Sequence, residues 1–143
     1  VSTSNEILLK GEYHPYEEAK IKSGQTIKPG MAVDLDSSGL IIVPAASGKA
    51  IPKRVMLINT WTGKTKTDAW TAEELAKYIV PKPGSLINLL CLSGETINIG
   101  TQVIINTAGK GIATTGSPAQ TFGESEEAGG TLTADTFLAV RVS

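Results

Sequence analysis

Ser23-Gly24-Gln25-Thr26-Ile27-Lys28-Pro29-Gly30-Met31-Ala32-Val33 returns 70 positions later as Ser93-Gly94-Glu95-Thr96-Ile97-Asn98-Ile99-Gly100-Thr101-Gln102-Val103. The register runs on to pair Gly39 with Gly109 and Ile42 with Ile112, so eight of twenty positions are identical between 23–42 and 93–112. Each copy reads as strand, glycine turn and strand, which is hairpin chemistry. Gly30 and Gly100 stand where the chain turns before an apolar run, a place that favours a residue free to adopt positive φ. Short turn words recur by chance in any β-rich chain. One offset held over twenty residues points instead to an internal duplication of a β unit.

Outward from the repeat, the pattern stays β. Ala19–Lys22, Met31–Asp36, Leu40–Val43 and Arg54–Asn59 read as strands in the first half. Ser85–Leu92, Thr101–Asn106, Gly111–Thr115, Ala119–Glu126 and Thr136–Val142 read as strands in the second. The closing segment sets Phe137, Ala139 and Arg141 against Leu138, Val140 and Val142, the two-residue period of a strand with two different faces. About nine short strands with regular turns predict a small barrel or sandwich.

Two stretches depart from this. In 60–84, Thr71-Ala72-Glu73-Glu74 has the form of a capping box, and Ala72, Leu75, Ala76 and Ile79 fall on one helical face before Pro81 and Pro83. A short inserted α-helix is expected there. Residues 1–17 carry Ile7, Leu8, Leu9, Tyr13, His14 and Tyr16 with no clear period, as an arm with a few anchoring side chains would. A frayed terminus is the plainer alternative. The expected fold is therefore all-β: a mainly antiparallel small β-barrel or sandwich built from a duplicated hairpin unit. It carries one short inserted helix and an extended N-terminal arm, with 18–143 forming a single domain.

Composition bounds the function. With 13 Lys and Arg against 14 Asp and Glu the net charge is -1, which gives no electrostatic footprint for nucleic acid. Charged residues are 19% of the chain, below the usual quarter. A quiet, hydroxyl-rich surface suits broad contact with other protein at low desolvation cost. One cysteine excludes an internal disulfide. No apolar run approaches the roughly 18 residues of a membrane span, and no signal peptide is visible.

No catalytic constellation emerges. Gly63-Lys64-Thr65 imitates a phosphate loop, but Ile58 stands where its first glycine belongs. His14 is the single histidine, so neither a His-pair metal site nor a Ser/His/Asp triad can be assembled with one to spare. A packed or solvated imidazole accounts for it. Cys91 lies among leucines, where a thiol behaves as a small hydrophobe. Glu124, Glu126 and Glu127 are too few to complete a calcium shell. Trp61 and Trp70 flank the 60–84 segment as either local core or interface anchors. The expectation is a protein that is not an enzyme and uses no cofactor or metal.

Ile27-Lys28-Pro29-Gly30-Met31-Ala32-Val33 through Gly39, then Gly84-Ser85-Leu86-Ile87-Asn88, Phe122-Gly123-Glu124-Ser125 and Leu138-Ala139-Val140-Arg141-Val142, together resemble the decoration (cement or head-stabilising) proteins of tailed bacteriophages. The resemblance spans residues 19–143 apart from 60–84, and it lies in the order of turn and strand words. It implies a β-barrel-like protein on the outer surface of a mature capsid in the virion. Such a protein is often a homotrimer, bridges neighbouring major capsid protein subunits and reaches out with terminal arms. Candidate capsid or intersubunit contacts are then Ile7, Leu8, Leu9, Tyr13, His14, Tyr16, Trp61 and Trp70, with no direct contact to nucleic acid or membrane. The 60–84 segment departs from the shortest members. Two alternatives stand beside this reading. One is a carbohydrate- or ligand-binding module stacking on Trp61, Trp70, Tyr13 and Tyr16; the other is a further structural head or tail subunit.

Overall fold

The computed structural model describes residues 4–11, 16–45, 53–72, 74–114 and 121–143. Among these, regular structure is almost entirely strand: β1 Leu8–Lys10, β2 Glu17–Lys20, β3 Ala32–Leu35, β4 Ile41–Ile42, β5 Arg54–Met56, β6 Leu75–Ile79, β7 Leu86–Cys91, β8 Thr96–Ile97, β9 Gln102–Ile105, β10 Gly111–Ala113, β11 Gly123–Ser125, β12 Gly130–Thr131 and β13 Thr136–Val142. The single helical turn described is a 3-10 turn at Thr60–Thr62. No helix among the described residues is long and apolar enough to cross a membrane.

The C-terminal half closes into a five-stranded barrel. Its strands run β7-β10-β9-β11-β13, and β13 returns to pair with β7. That last seam is the longest, running from Thr136 beside Cys91 to Arg141 beside Leu86. Leu138, Val140 and Val142 turn inward, as the alternation predicts. Every residue of β7 is buried, which fits its strongly apolar sequence with Asn88 as the one polar member: the barrel covers one face and the N-terminal half the other.

The N-terminal half forms a sheet in the order β2-β6-β5-β3-β4. A parallel bridge between Ile21 and Ile41 joins its outer strands into a second ring. Registers in the two rings correspond pair for pair. Glu17 beside Tyr78 matches Ile87 beside Val140, and Ala32 beside Val55 matches Gln102 beside Glu124. Val55 beside Ile79 matches Glu124 beside Arg141, and the Ile21–Ile41 bridge matches Cys91–Gly111. Even the turns agree. Asp36 Oδ1 accepts the N–H groups of Ser38 and Leu40, and Asn106 Oδ1 accepts those of Ala108 and Lys110. Such Asx turns are why Asp and Asn serve equally at these two corners.

The expected inserted helix is not formed. Leu75–Ile79 is strand β6, paired with β2 on one side and β5 on the other. The box survives only as a turn, with Thr71 N–H donating to Glu74 Oε1 at 2.9 Å and Glu74 N–H to Thr71 O at 3.1 Å. After that turn, two open strand edges compete with a short isolated helix, and tertiary pairing overrides a weak local preference. Ala76 and Tyr78 then face inward while Leu75 and Lys77 face out.

The two rings meet at the Pro29-Gly30 turn. Leu90 N–H donates to Gly30 O at 3.0 Å, and Ala32 N–H to Gly109 O at 2.9 Å. Gly30 sits at φ 79°, and a Cβ there would lie 2.5 Å from Phe137 Cε1. Only glycine supplies both that backbone and that approach. One hydrophobic cluster runs through both rings, including Ile27, Val55, Ile87 and Leu138.

Candidate protein-interaction surface

The expected contact residues part company in three dimensions. Ile7 is 3% exposed and belongs to the core, and Leu8 packs against that core. Leu8 and Leu9 lie on β1, which pairs antiparallel with β7. The segment does add a strand to a sheet edge, as an arm would, but the edge is in its own barrel. Asn88 holds it there. Its N–H donates to Ile7 O at 2.7 Å, and its Nδ2 donates to Ser4 O and Glu6 O at 3.1 Å each. Lys66 Nζ donates to Ser4 O from the other side at 2.7 Å. As a contact for a neighbour, Ile7 is therefore corrected to internal packing, while Leu8 and Leu9 stay half-buried on β1. Tyr13 and His14 lie outside the described residues.

The two tryptophans take opposite roles. Trp70 is 5% exposed and donates Nε1–H to Leu57 O at 2.9 Å, the partner a buried indole needs. Trp61 is 78% exposed. It stands on the 3-10 turn directly after β5, where Gly63 in the left-handed region ends the turn.

Trp61 is not isolated. Lys77 Nζ lies 4.2 Å from its ring centroid and 4.7 Å from that of Tyr16, a cation held between two aromatic faces. Glu18 Oε1 lies 3.9 Å from the same ammonium. Tyr16 precedes β2, Glu18 is within it, and Lys77 faces Glu18 across the β2–β6 pair. The outer face of that pair thus presents Tyr16, Trp61 and Leu75, three of the large hydrophobic side chains left exposed. Lys77 was missed in the sequence because it had been assigned to a helix. On a strand, its alternation with Tyr78 places it between the aromatics.

The far edge of β2 adds a second feature. Ile21 N–H points to β6 through Glu74 O, and Lys22 N–H points the other way to Ile41 O. By alternation the N–H groups of Glu18 and Lys20 also point away from β6. No strand among the described residues pairs with that side of Glu17–Lys20. An edge with free N–H and C=O groups can accept another strand.

The remaining candidates resolve as structure. Cys91 is buried and its thiol is pushed up to about 12, first by burial and then by the Glu95 and Glu127 carboxylates, so it stays protonated. Thr65 N–H donates to Asp68 Oδ2 at 2.8 Å, closing a local turn where a phosphate loop would need a helix. The acidic trio disperses: Glu126 takes both Nε and Nη2 of Arg141, at 3.0 and 2.7 Å, while Glu127 Oε1 accepts Ala139 N–H. Among the described residues no three His, Cys, Asp or Glu side chains converge on a metal position. A cavity of about 340 Å³ between Asn5–Leu8 and Leu57–Thr60 is lined mainly by apolar groups and offers no paired acid and base. The chain matches no protein-family model, and comparison with curated proteins finds no match either.

Proposed function

We propose that this chain is a structural protein of a virus particle that binds the outer surface of a mature capsid. There it bridges major capsid protein subunits as a homotrimer, and its hairpin unit is duplicated within one chain. The observation that carries this reading is the Tyr16–Lys77–Trp61 cluster beside the open edge of β2. It is an aromatic anchor and a strand acceptor on a β frame, and among the described residues no group of three His, Cys, Asp or Glu converges there as a metal set would. Trp at such a position is the residue type that dominates interface energetics. A lattice presents the same site many times, so a modest contact gains through avidity when the binder is oligomeric. Selective binding to the expanded shell stabilises that shell by linkage, with no chemistry required.

The ligand-binding alternative loses ground on one fact. Its stacking platform needs Trp70, which is buried, and the facing sides of Tyr16 and Trp61 already hold Lys77.

Co-sedimentation with expanded capsids and with unexpanded procapsids tests the reading. Saturable binding to expanded shells alone is expected, with a raised shell melting temperature. Trp61→Ala should weaken it by about 30-fold, the effect of a ~2 kcal/mol hot spot. Absence of binding to either shell overturns the proposal.

A further inference from the structure

The junction between the two rings has a donor side and an acceptor side. The N-terminal ring delivers the Pro29-Gly30 turn. The C-terminal barrel receives it on Leu90, whose N–H takes Gly30 O, and on Phe137, whose ring lies against Gly30. The register correspondence carries each role to the other ring. Leu90 pairs with Phe137, and Lys20 with Leu75, so the acceptor pair on the N-terminal ring is Lys20 and Leu75. Ile99 and Gly100 correspond to Pro29 and Gly30, the donor turn.

These four positions look like the two halves of an unmade contact. Leu75 is 52% exposed and Ile99 70%, whereas Phe137, in the filled junction, is 9% exposed. A Cβ on Gly100 would meet only Glu124 Oε1, at 3.9 Å, where a Cβ on Gly30 would meet Phe137. Gly39, the counterpart of the Gly109 that packs on Ala32 and Met31, has nothing within 4 Å of its Cβ position. The Lys20 N–H points to the open edge of β2, as the Leu90 N–H points to Gly30. Charge agrees as well: the Glu124 carboxylate lies beside the Gly100 turn, and the receiving residue is Lys20.

We infer that the Ile99-Gly100 turn of one copy docks on the Lys20–Leu75 edge of the next, repeating between chains the contact that joins the two rings within a chain. Gly100 O accepts the Lys20 N–H, Leu75 covers the turn as Phe137 does, and Glu124 meets Lys20. The occupant is a second copy of this chain because its exposed Ile99-Gly100 turn is the counterpart of the turn that fills the same position within the chain. The contact is heterologous, with different surfaces on the two partners, so it closes into a ring or runs on as a filament. In a closed ring, intrachain and interchain junctions alternate. The inference rests on the homotrimer part of the proposed function and not on the capsid part: the docked turn occupies the Lys20–Leu75 end of the β2–β6 pair, and Tyr16, Lys77 and Trp61 lie towards its other end.

Sedimentation velocity on the full chain and on two variants, Leu75→Glu and Ile99→Glu, tests it. The unaltered chain should be oligomeric and each variant monomeric, with circular dichroism and melting of the monomer unchanged. Leu75→Glu keeps a sound donor turn and Ile99→Glu a sound acceptor edge, so an equal mixture should give dimers and stop there. An isologous interface would give no such dimer. A monomeric unaltered chain, oligomeric variants or a mixture that stays monomeric would each overturn the junction. Shell binding by the same samples separates the two proposals: assembly without shell binding removes the capsid reading alone, and shell binding by an unaltered monomer removes the junction alone.

Discussion

The two rings share strand order and register, yet they spend their residues differently. In the C-terminal barrel the outer edge of β7 is filled: Ile7 O takes the Asn88 N–H, Gly30 O the Leu90 N–H and Gly111 O the Leu92 N–H. In the N-terminal ring the matching edge of β2 keeps, among the described residues, the last of these, Lys22 N–H to Ile41 O. Side chains follow. The filled edge carries Asn88 and Leu90, both buried; the open one carries Glu18 and Lys20, neither of them buried. What differs is which contacts the rest of the chain has already made, and polarity at corresponding positions records it. Charged side chains on an unpaired strand also guard against indiscriminate edge pairing.

The largest effect is expected when both members of one corresponding pair are truncated. Phe137→Ala should cost about 3 kcal/mol, because the ring is buried against the Gly30 turn and a cavity would remain. Leu75→Ala, measured on dilute protein by chemical unfolding, should stay within about 0.5 kcal/mol. Equal losses would show that the two edges are not differently used.

A smaller effect is expected at the second pair. Asn88→Ala removes the two side-chain bonds that hold Ser4 and Glu6, and should cost about 1–2 kcal/mol. Amide exchange at position 88, whose N–H donates to Ile7 O, should quicken before global unfolding, while Glu18→Ala leaves that amide protected. Unchanged exchange in Asn88→Ala would mean that β1 is held by its strand pairing alone.

The smallest effect concerns acid stability. Asp135 Oδ2 lies 2.6 Å from Lys110 Nζ, and its Oδ1 accepts Ser93 N–H at 2.9 Å; the lysine first holds the carboxyl below its ordinary range, burial opposes it, and the Ser93 N–H adds to the lowering. Its folded pKa is below its unfolded one. The stabilisation is therefore present above about pH 4 and lost as pH falls through the depressed value. Asp135→Asn should lower stability at neutral pH by a few tenths of a kcal/mol and flatten the acid limb of the melting curve by the same amount.

Much of this architecture is legible in the sequence. The offset of 70 located β3 and β9, β4 and β10, and the turns between them, because Asx and glycine corners are local devices whose residues act on their own backbone. Alternation over 136–142 placed the closing strand for the same reason. The 60–84 stretch was misread because Leu75-Ala76-Lys77-Tyr78-Ile79 satisfies both periods over so short a span. Which period applies depends on two partner strands, one of them more than fifty residues distant in sequence. Ile7, Trp61 and Trp70 look alike as isolated apolar residues; what decides among them is the neighbour each one meets.

By itself, then, the sequence determined the β class and the repeated corners, both properties of residue type and short-range spacing. Only the tertiary structure decided that Leu75–Ile79 is a strand, that the N-terminal segment folds back on β7, and that Lys77 stands between Tyr16 and Trp61. It alone leaves one strand edge capped and its counterpart open. Pairing and burial depend on contacts between residues far apart in the chain, and no local pattern encodes which of two equivalent edges the chain itself will fill.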